Sequence, residues 1–443
     1  SGTMSRAWGS RPVSEWLRGA DAAGVRSLRD FLRGQGTLDF PAGAGGLYAA
    51  AAGDGADFEV SGYRSVWVRD NMQIAWALYR ADDQGAAAVR CVLTVAEFYR
   101  RHQRRFAEII AGTADAQDPM NRPHIRFNGS DLTELPEKWA HAQNDALGYF
   151  LWLTSRLALD GQLSPSAVPW DVLGLLLRYW QRIEVWRDED SGHWEEVRKV
   201  AASSIGCALA GLEGLATLLS SSERMREQAE AGGVSRSVLQ ALQQECRAAL
   251  LGILPAECIQ SDPAKHRRFD AALLFLIWPL DIVGDRGLED RILADVRTQL
   301  LGPRGIRRYP GDSYWCADYR QLLSADERTV DFSDNLDARD RLLRPGLEAQ
   351  WCIFDPILSC IYGQRYQRSG DAGDLEQQLW HADRSLQQLT PAGGRFPQYR
   401  CPESWFCERG EWIPNDITPL LWTQGNLLQA LQLLEENLDR ATG

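Results

Sequence analysis

The string His193-Trp194-Glu195-Glu196 sets two adjacent carboxylates beside an indole, just after an acidic turn at residues 188–190. Beside an apolar ring and beside each other, one of the pair is expected to keep its proton near neutral pH, as acid catalysis needs. The same two residues also suit the first turn of a helix, where the backbone dipole favours negative charge. A second cluster, Tyr63 to Asn71, holds Trp67 and the pair Arg69 and Asp70. A guanidinium and a carboxylate grip neighbouring hydroxyls while a ring covers an apolar face, although Asp70 equally reads as a helix cap. Trp139, Gln143 and Asp145 fall within seven residues ahead of an apolar helix, and His141 among them reads as a structural hydrogen-bonder. The loop 307–314 carries Arg308, Tyr309, Asp312 and Tyr314, and a late stretch carries Glu403, Trp405 and Glu411.

The composition narrows the choice of ligand. The 443 residues carry a net charge of −12, and only Lys138, Lys199 and Lys265 are lysines. No polybasic face can form, which argues against nucleic acid or an anionic membrane as partner. Nine scattered cysteines without CxxC spacing and six histidines supply no zinc quartet, so reduced buried thiols and no metal are expected. Apolar runs such as 271–278 fall short of the ~20 residues of a membrane span. With no signal-like opening, the expected setting is cytoplasmic. Residues 1–44 read as an N-terminal extension, with Ser1 to Thr3 a scar ahead of Met4, and 45–443 as one domain. Seventeen tryptophans, several beside charged groups, suit rings that finish a core or stack on a ligand.

These side chains need a scaffold, and the periodicity predicts helices nearly throughout, with strands hardly required. Polar clusters open the predicted helices near Asp70, Gln143, Glu195, Asp270, Glu348 and Asp416, at intervals of 52 to 78 residues. Each interval has room for a helix pair, and six pairs make a toroid with every cluster at one mouth. Closing that ring brings a late carboxylate, Glu403 or Glu411, opposite Glu195.

Five ordered strings then carry a resemblance: 66–71, 139–146, Trp194 to Glu196 with 203–206, 308–312, and 419–424. Together they cover about 45 to 436. The chain resembles glycoside hydrolase family 15, the glucoamylases, and more closely the glucoamylase-like portion of the phosphorylase kinase α and β subunits and their bacterial relatives. The resemblance implies an (α/α)6 barrel that releases β-D-glucose, with inversion, from the non-reducing end of soluble α-gluco-oligosaccharides, without a cofactor. It implies Glu195 as general acid and Glu403 as general base, with Glu411 the competitor. Arg69 and Asp70 would bind the innermost sugar, Arg308 the sugars around the scissile bond, and Glu196 a sugar hydroxyl, while Trp139 stacks. Trp67, Gln143, Asp145, Trp194, Asp312 and Trp405 complete the expected substrate contacts. Gly311 stands where glucoamylases often carry Glu, and Ser404 replaces the Gln after the base. The alternative is a carbohydrate-sensing module without catalysis, like the kinase subunits; the retained Trp194-Glu195-Glu196 string favours an enzyme.

Overall fold

A helix with neighbours on every side must be apolar all round, and Asn144–Leu159 and Ala202–Ser221 are: nearly every residue of both is buried. The computed structural model describes residues 8–51 and 65–443; Tyr63, the start of the second cluster, lies outside the described residues. Six inner elements make a closed ring: Val68–Asp82, Asn144–Leu159, Ala202–Ser221, the short 3-10 helix Ala271–Leu276, Phe354–Ser369 and Leu421–Thr442. Each packs on the next, and the last packs on the first. Helices Gly85–Arg101, Trp170–Ile183, Arg236–Ile253, Arg286–Asp295 and Ala372–Gln387 lie outside this ring. The sixth outer place is taken by Ala22–Gly34, which packs against Leu421–Thr442 through Val25, Leu28 and Leu32 and pairs Arg26 and Arg29 with Glu435. This is the (α/α)6 architecture.

Two inner helices approach most closely at glycines. A Cβ on Gly148 would lie 2.5 Å from the carbonyl of Cys207, and one on Gly211 would lie 2.9 Å from the carbonyl oxygen of Gly148. The Ala202–Ser221 helix is long and apolar enough to cross a membrane, but 78% of that window is buried in the ring. All nine cysteines are buried and free, and among the described residues no His/Cys/Asp/Glu group is arranged to hold a metal ion.

Three expectations need correction. Strands do occur: β1 (Ser65–Trp67) pairs with β2 (Arg126–Asn128). A five-stranded antiparallel sheet follows, in the order β3 (Leu301–Gly302), β4 (Gly305–Ile306), β5 (Gln350–Trp351), β6 (Ser404–Glu408) and β7 (Glu411–Pro414). Its strands are two to five residues long, too short for a period-2 pattern to register. Second, Glu195, Glu348 and Asp416 do not open helices; the next helices start at Ala202, Phe354 and Leu421. Third, the predicted helix at 271–280 is a 3-10 turn that stops at Leu276, three residues ahead of Pro279, whose ring cannot continue a helix.

Candidate active site

The loops at one end of the ring enclose a cavity of about 210 Å3. Of the residues singled out in the sequence, Trp67, Arg69, Asp70, Trp139, Trp194, Glu195, Arg308 and Glu403 line it. Gln143, Asp145, Glu196, Asp312 and Trp405 do not, and Glu411 is exposed on the β6–β7 hairpin.

Glu195 ends the one-turn helix Gly192–Trp194 in the left-handed conformation, φ 57° and ψ 44°. For a side chain with a Cβ that backbone is uncommon and costs energy, and such strain persists only where surrounding structure imposes it. Here the flanks are pinned: the Ser191 N–H donates to Ala142 at 2.7 Å, and Asp190 and Lys199 exchange backbone bonds. The indole of Trp139 (2.6 Å) and the amide of Gln143 (2.8 Å) both donate to Oε2 of Glu195. Trp139 is itself held by the Arg126 guanidinium, 4.2 Å from its ring centre.

Arg69 and Asp70 sit in the first turn of Val68–Asp82 but face different partners. Arg69, 3% exposed, donates to both oxygens of Asp145 (2.5 and 3.1 Å), to the Gly192 carbonyl (3.0 Å) and to Gln143. Asp145 and Gln143 therefore aim Arg69 and Glu195 from behind the cavity wall. Burial pushes the Asp70 carboxyl up to about 7, with Arg69 opposing and Glu195 adding to the rise.

Glu196 departs from expectation. Burial alone would raise its pKa, yet the guanidiniums of Arg339, Arg308 and Arg267 outweigh burial and hold the carboxyl well below the usual range, helped by the Tyr309 hydroxyl. It accepts from Tyr309 at 2.6 Å, from Arg308 at 3.2 Å and from Arg339, and is 1% exposed. The anticipated mutual elevation of adjacent carboxyls thus does not occur at Glu196, because it turns into an arginine cluster instead of toward Glu195. Asp312 likewise grips Arg308 with two bonds of 2.7 and 2.8 Å from behind the wall. Gly311 has φ 82°, a conformation that glycine adopts freely and glutamate does not.

The sheet delivers the opposite wall. Arg308 follows β4, Trp351 lies on β5 and Glu403 precedes β6, so antiparallel register sets the three side by side. Arg308 lies among Trp194, Tyr314 and Trp351, 4.9 to 5.0 Å from each ring. Glu403 is 7% exposed; burial pushes its carboxyl up to about 8, against the hydrogen bond from Asn415 (2.9 Å), the Arg308 charge and the Tyr314 hydroxyl, and with a further rise from Asp70. Trp405, expected on the substrate, faces away: its indole donates to the Gln388 carbonyl at 3.0 Å. Trp351, Tyr314, Trp422, Arg328, Phe332 and Arg339 were not selected for the site, and all six line the cavity. Tyr314 closes the loop 307–314 and Trp422 lies within 419–424, so proximity to Arg308 and to that string was an available signal. Trp351 and Arg339 carry no local signal; only sheet pairing and a folded loop bring them in.

Comparison with known proteins fits this geometry. The sequence model of glycosyl hydrolases family 15 matches residues 34–281. An uncharacterized lipoprotein, YgeQ, of Escherichia coli is 28% identical over 147 residues, 29% of this chain and 55% of that protein. The chain thus spans about half the length of that curated relative. Among solved structures, a glycosidase variant in complex with glucose aligns over 95% of this chain and 99% of its own, with a TM-score of 0.63 and 18% identity. A glucoamylase of Saccharomycopsis fibuligera aligns over 93% and 96%, with a TM-score of 0.61 and 14% identity. Those structural likenesses establish the toroid, and the sequence match, which spans more than half of the chain and includes Arg69, Asp70 and Glu195, establishes that this protein belongs to glycosyl hydrolases family 15.

Proposed function

We infer that the protein is an inverting, exo-acting α-glucosidase that releases β-D-glucose from the non-reducing end of soluble α-gluco-oligosaccharides. The observation that carries this reading is the pair of carboxyls, Glu195 and Glu403, delivered to one cavity by opposite parts of the chain, with the buried Arg69–Asp70 pair beside them. Glu195, its Oε2 occupied by two N–H donors, gives the proton on Oε1 to the departing glycosidic oxygen. Glu403, oriented by Asn415, takes a proton from water attacking the opposite face of the ring. The two carboxyls of an inverting pair stand ~6.5–9.5 Å apart, leaving room for that water. Asp70 and Arg69 hold the sugar that flattens in the transition state, and the carboxylates stabilise its positive charge.

The test is glucose release from a panel of α-1,4-, α-1,6- and α,α-1,1-linked glucosides, with proton NMR of the fresh product. β-Glucose should appear first; α-glucose first would overturn inversion. Glu195→Gln should stay folded and lose at least ~100-fold in turnover, and a variant of undiminished turnover removes Glu195 from the mechanism. Oligosaccharide binding with no glucose released from any member would favour a sensing module instead.

A further inference from the structure

The floor of the cavity is made by buried groups, Arg69, Asp70, Glu403 and Trp422, whereas Val330, Asp331 and Phe332 line it from the rim and are exposed or half-buried. These rim residues belong to one segment, 324–340, that is fixed at both ends. At its start, Ser324 and Glu327 cap each other in a reciprocal box, and Arg328 donates to the Leu323 carbonyl at 2.8 Å and lies 3.6 Å from Asp416. At its end, Arg339 is 3% exposed, donates to Ser313 at 2.8 Å and to Glu196, and lies 5.5 Å from the Phe332 ring. Between these anchors Asp334 pairs with Lys138 from a distant part of the chain. Lys138 is the neighbour of Trp139, which holds Glu195.

We propose that 324–340 is a strap across the acceptor side of the cavity that makes short glucosides, disaccharides above all, the preferred substrates. The inference rests on the α-glucosidase reading above. Phe332 on the strap and Trp139 both line the cavity, and a sugar whose non-reducing end sits on the buried floor would send its reducing end out past them. One further sugar ring is met there by two aromatic faces. A longer chain meets the Lys138–Asp334 crossing instead. Both partners of that crossing are more than half exposed, 63% and 58%, so water and salt weaken it. The strap therefore slows longer chains and does not refuse them. The anchor ties specificity to chemistry, because Arg339 binds Glu196, the residue that follows the proton donor.

The experiment compares kcat/KM for di-, tri- and tetrasaccharides of one linkage, in the intact protein and in Asp334→Ala and Lys138→Ala, neither of which lines the cavity. The unaltered protein should favour the disaccharide over the tetrasaccharide by at least ~10-fold, within the range that steric discrimination at a site supplies. Both variants should keep disaccharide turnover and narrow that ratio several-fold, and raised salt should narrow it in the unaltered protein alone. Phe332→Ala should narrow it further. Tetrasaccharide cleaved as well as disaccharide, or a ratio unmoved in both variants, overturns the strap and leaves the glucosidase standing. Glucose released from none of the three lengths overturns both.

Discussion

Glu403 holds its proton near neutral pH because burial outweighs the Asn415 amide, the Arg308 charge and the Tyr314 hydroxyl. As a base it must first lose that proton while Glu195 keeps its own, so kcat/KM of the free protein should be bell-shaped, with one limb near pH 8 set by Glu403. Asn415→Ala removes a bond that favours the ionised form, worth about 1.5 kcal/mol or more for a charged acceptor, and should move this limb upward by about one pH unit. A pH–rate profile of the two proteins checks both statements, and an unmoved limb separates Asn415 from the base. At this scale the sequence was most readable where chemistry is packed locally. Arg69, Asp70 and Glu195 line the cavity that their strings suggested. It was least readable where side-chain direction decides, as at Trp405, which turns to Gln388, and at Glu196, which turns into three guanidiniums.

The helices position these groups by packing at distances that their smallest residues set. Gly148 and Gly211 bring two inner helices into backbone contact, and the loops that carry Gln143 and Glu195 lie at the same end of this pair. Gly148→Ala should therefore cost about 1–3 kcal/mol, the usual penalty of overpacking, although alanine is the better helix former. Urea unfolding of the two proteins measures it, and equal midpoints would show that the crossing has slack. Periodicity revealed these helices because their apolar faces repeat over several turns. The sheet was invisible for the opposite reason, since two-residue strands such as Leu301–Gly302 and Gln350–Trp351 present no repeat. Yet that sheet places Arg308, Trp351 and Glu403 together, so the part of the site with the weakest signal was the part built by pairing between distant segments.

Across the whole molecule, the ring is completed by the N-terminal helix Ala22–Gly34 packing on the last helix, Leu421–Thr442. Val25, Leu28, Phe31 and Leu32 of Ala22–Gly34 are buried, as are Trp8 and Trp16 ahead of it. Removing residues 1–34 should leave the outer face of Leu421–Thr442 uncovered and lower the melting temperature by several degrees or more, since large apolar side chains are worth about 1.5–3 kcal/mol each when buried. Calorimetry of the shortened chain tests this, and an unchanged melt would make the segment dispensable. Six polar clusters at regular intervals made the toroid legible, while the partner of the final helix was hidden because it comes from the opposite end of the chain. The nine buried, unpaired thiols carry one more consequence. A maleimide or disulfide reagent meets no accessible sulfur among the described residues until some part of the ring opens. The nine sites are spread from Cys91 on an outer helix to Cys207 and Cys360 on inner ones and Cys401 beside the sheet. Mass-resolved labelling over time would therefore serve as a set of local clocks, reporting which sector of the toroid breathes first.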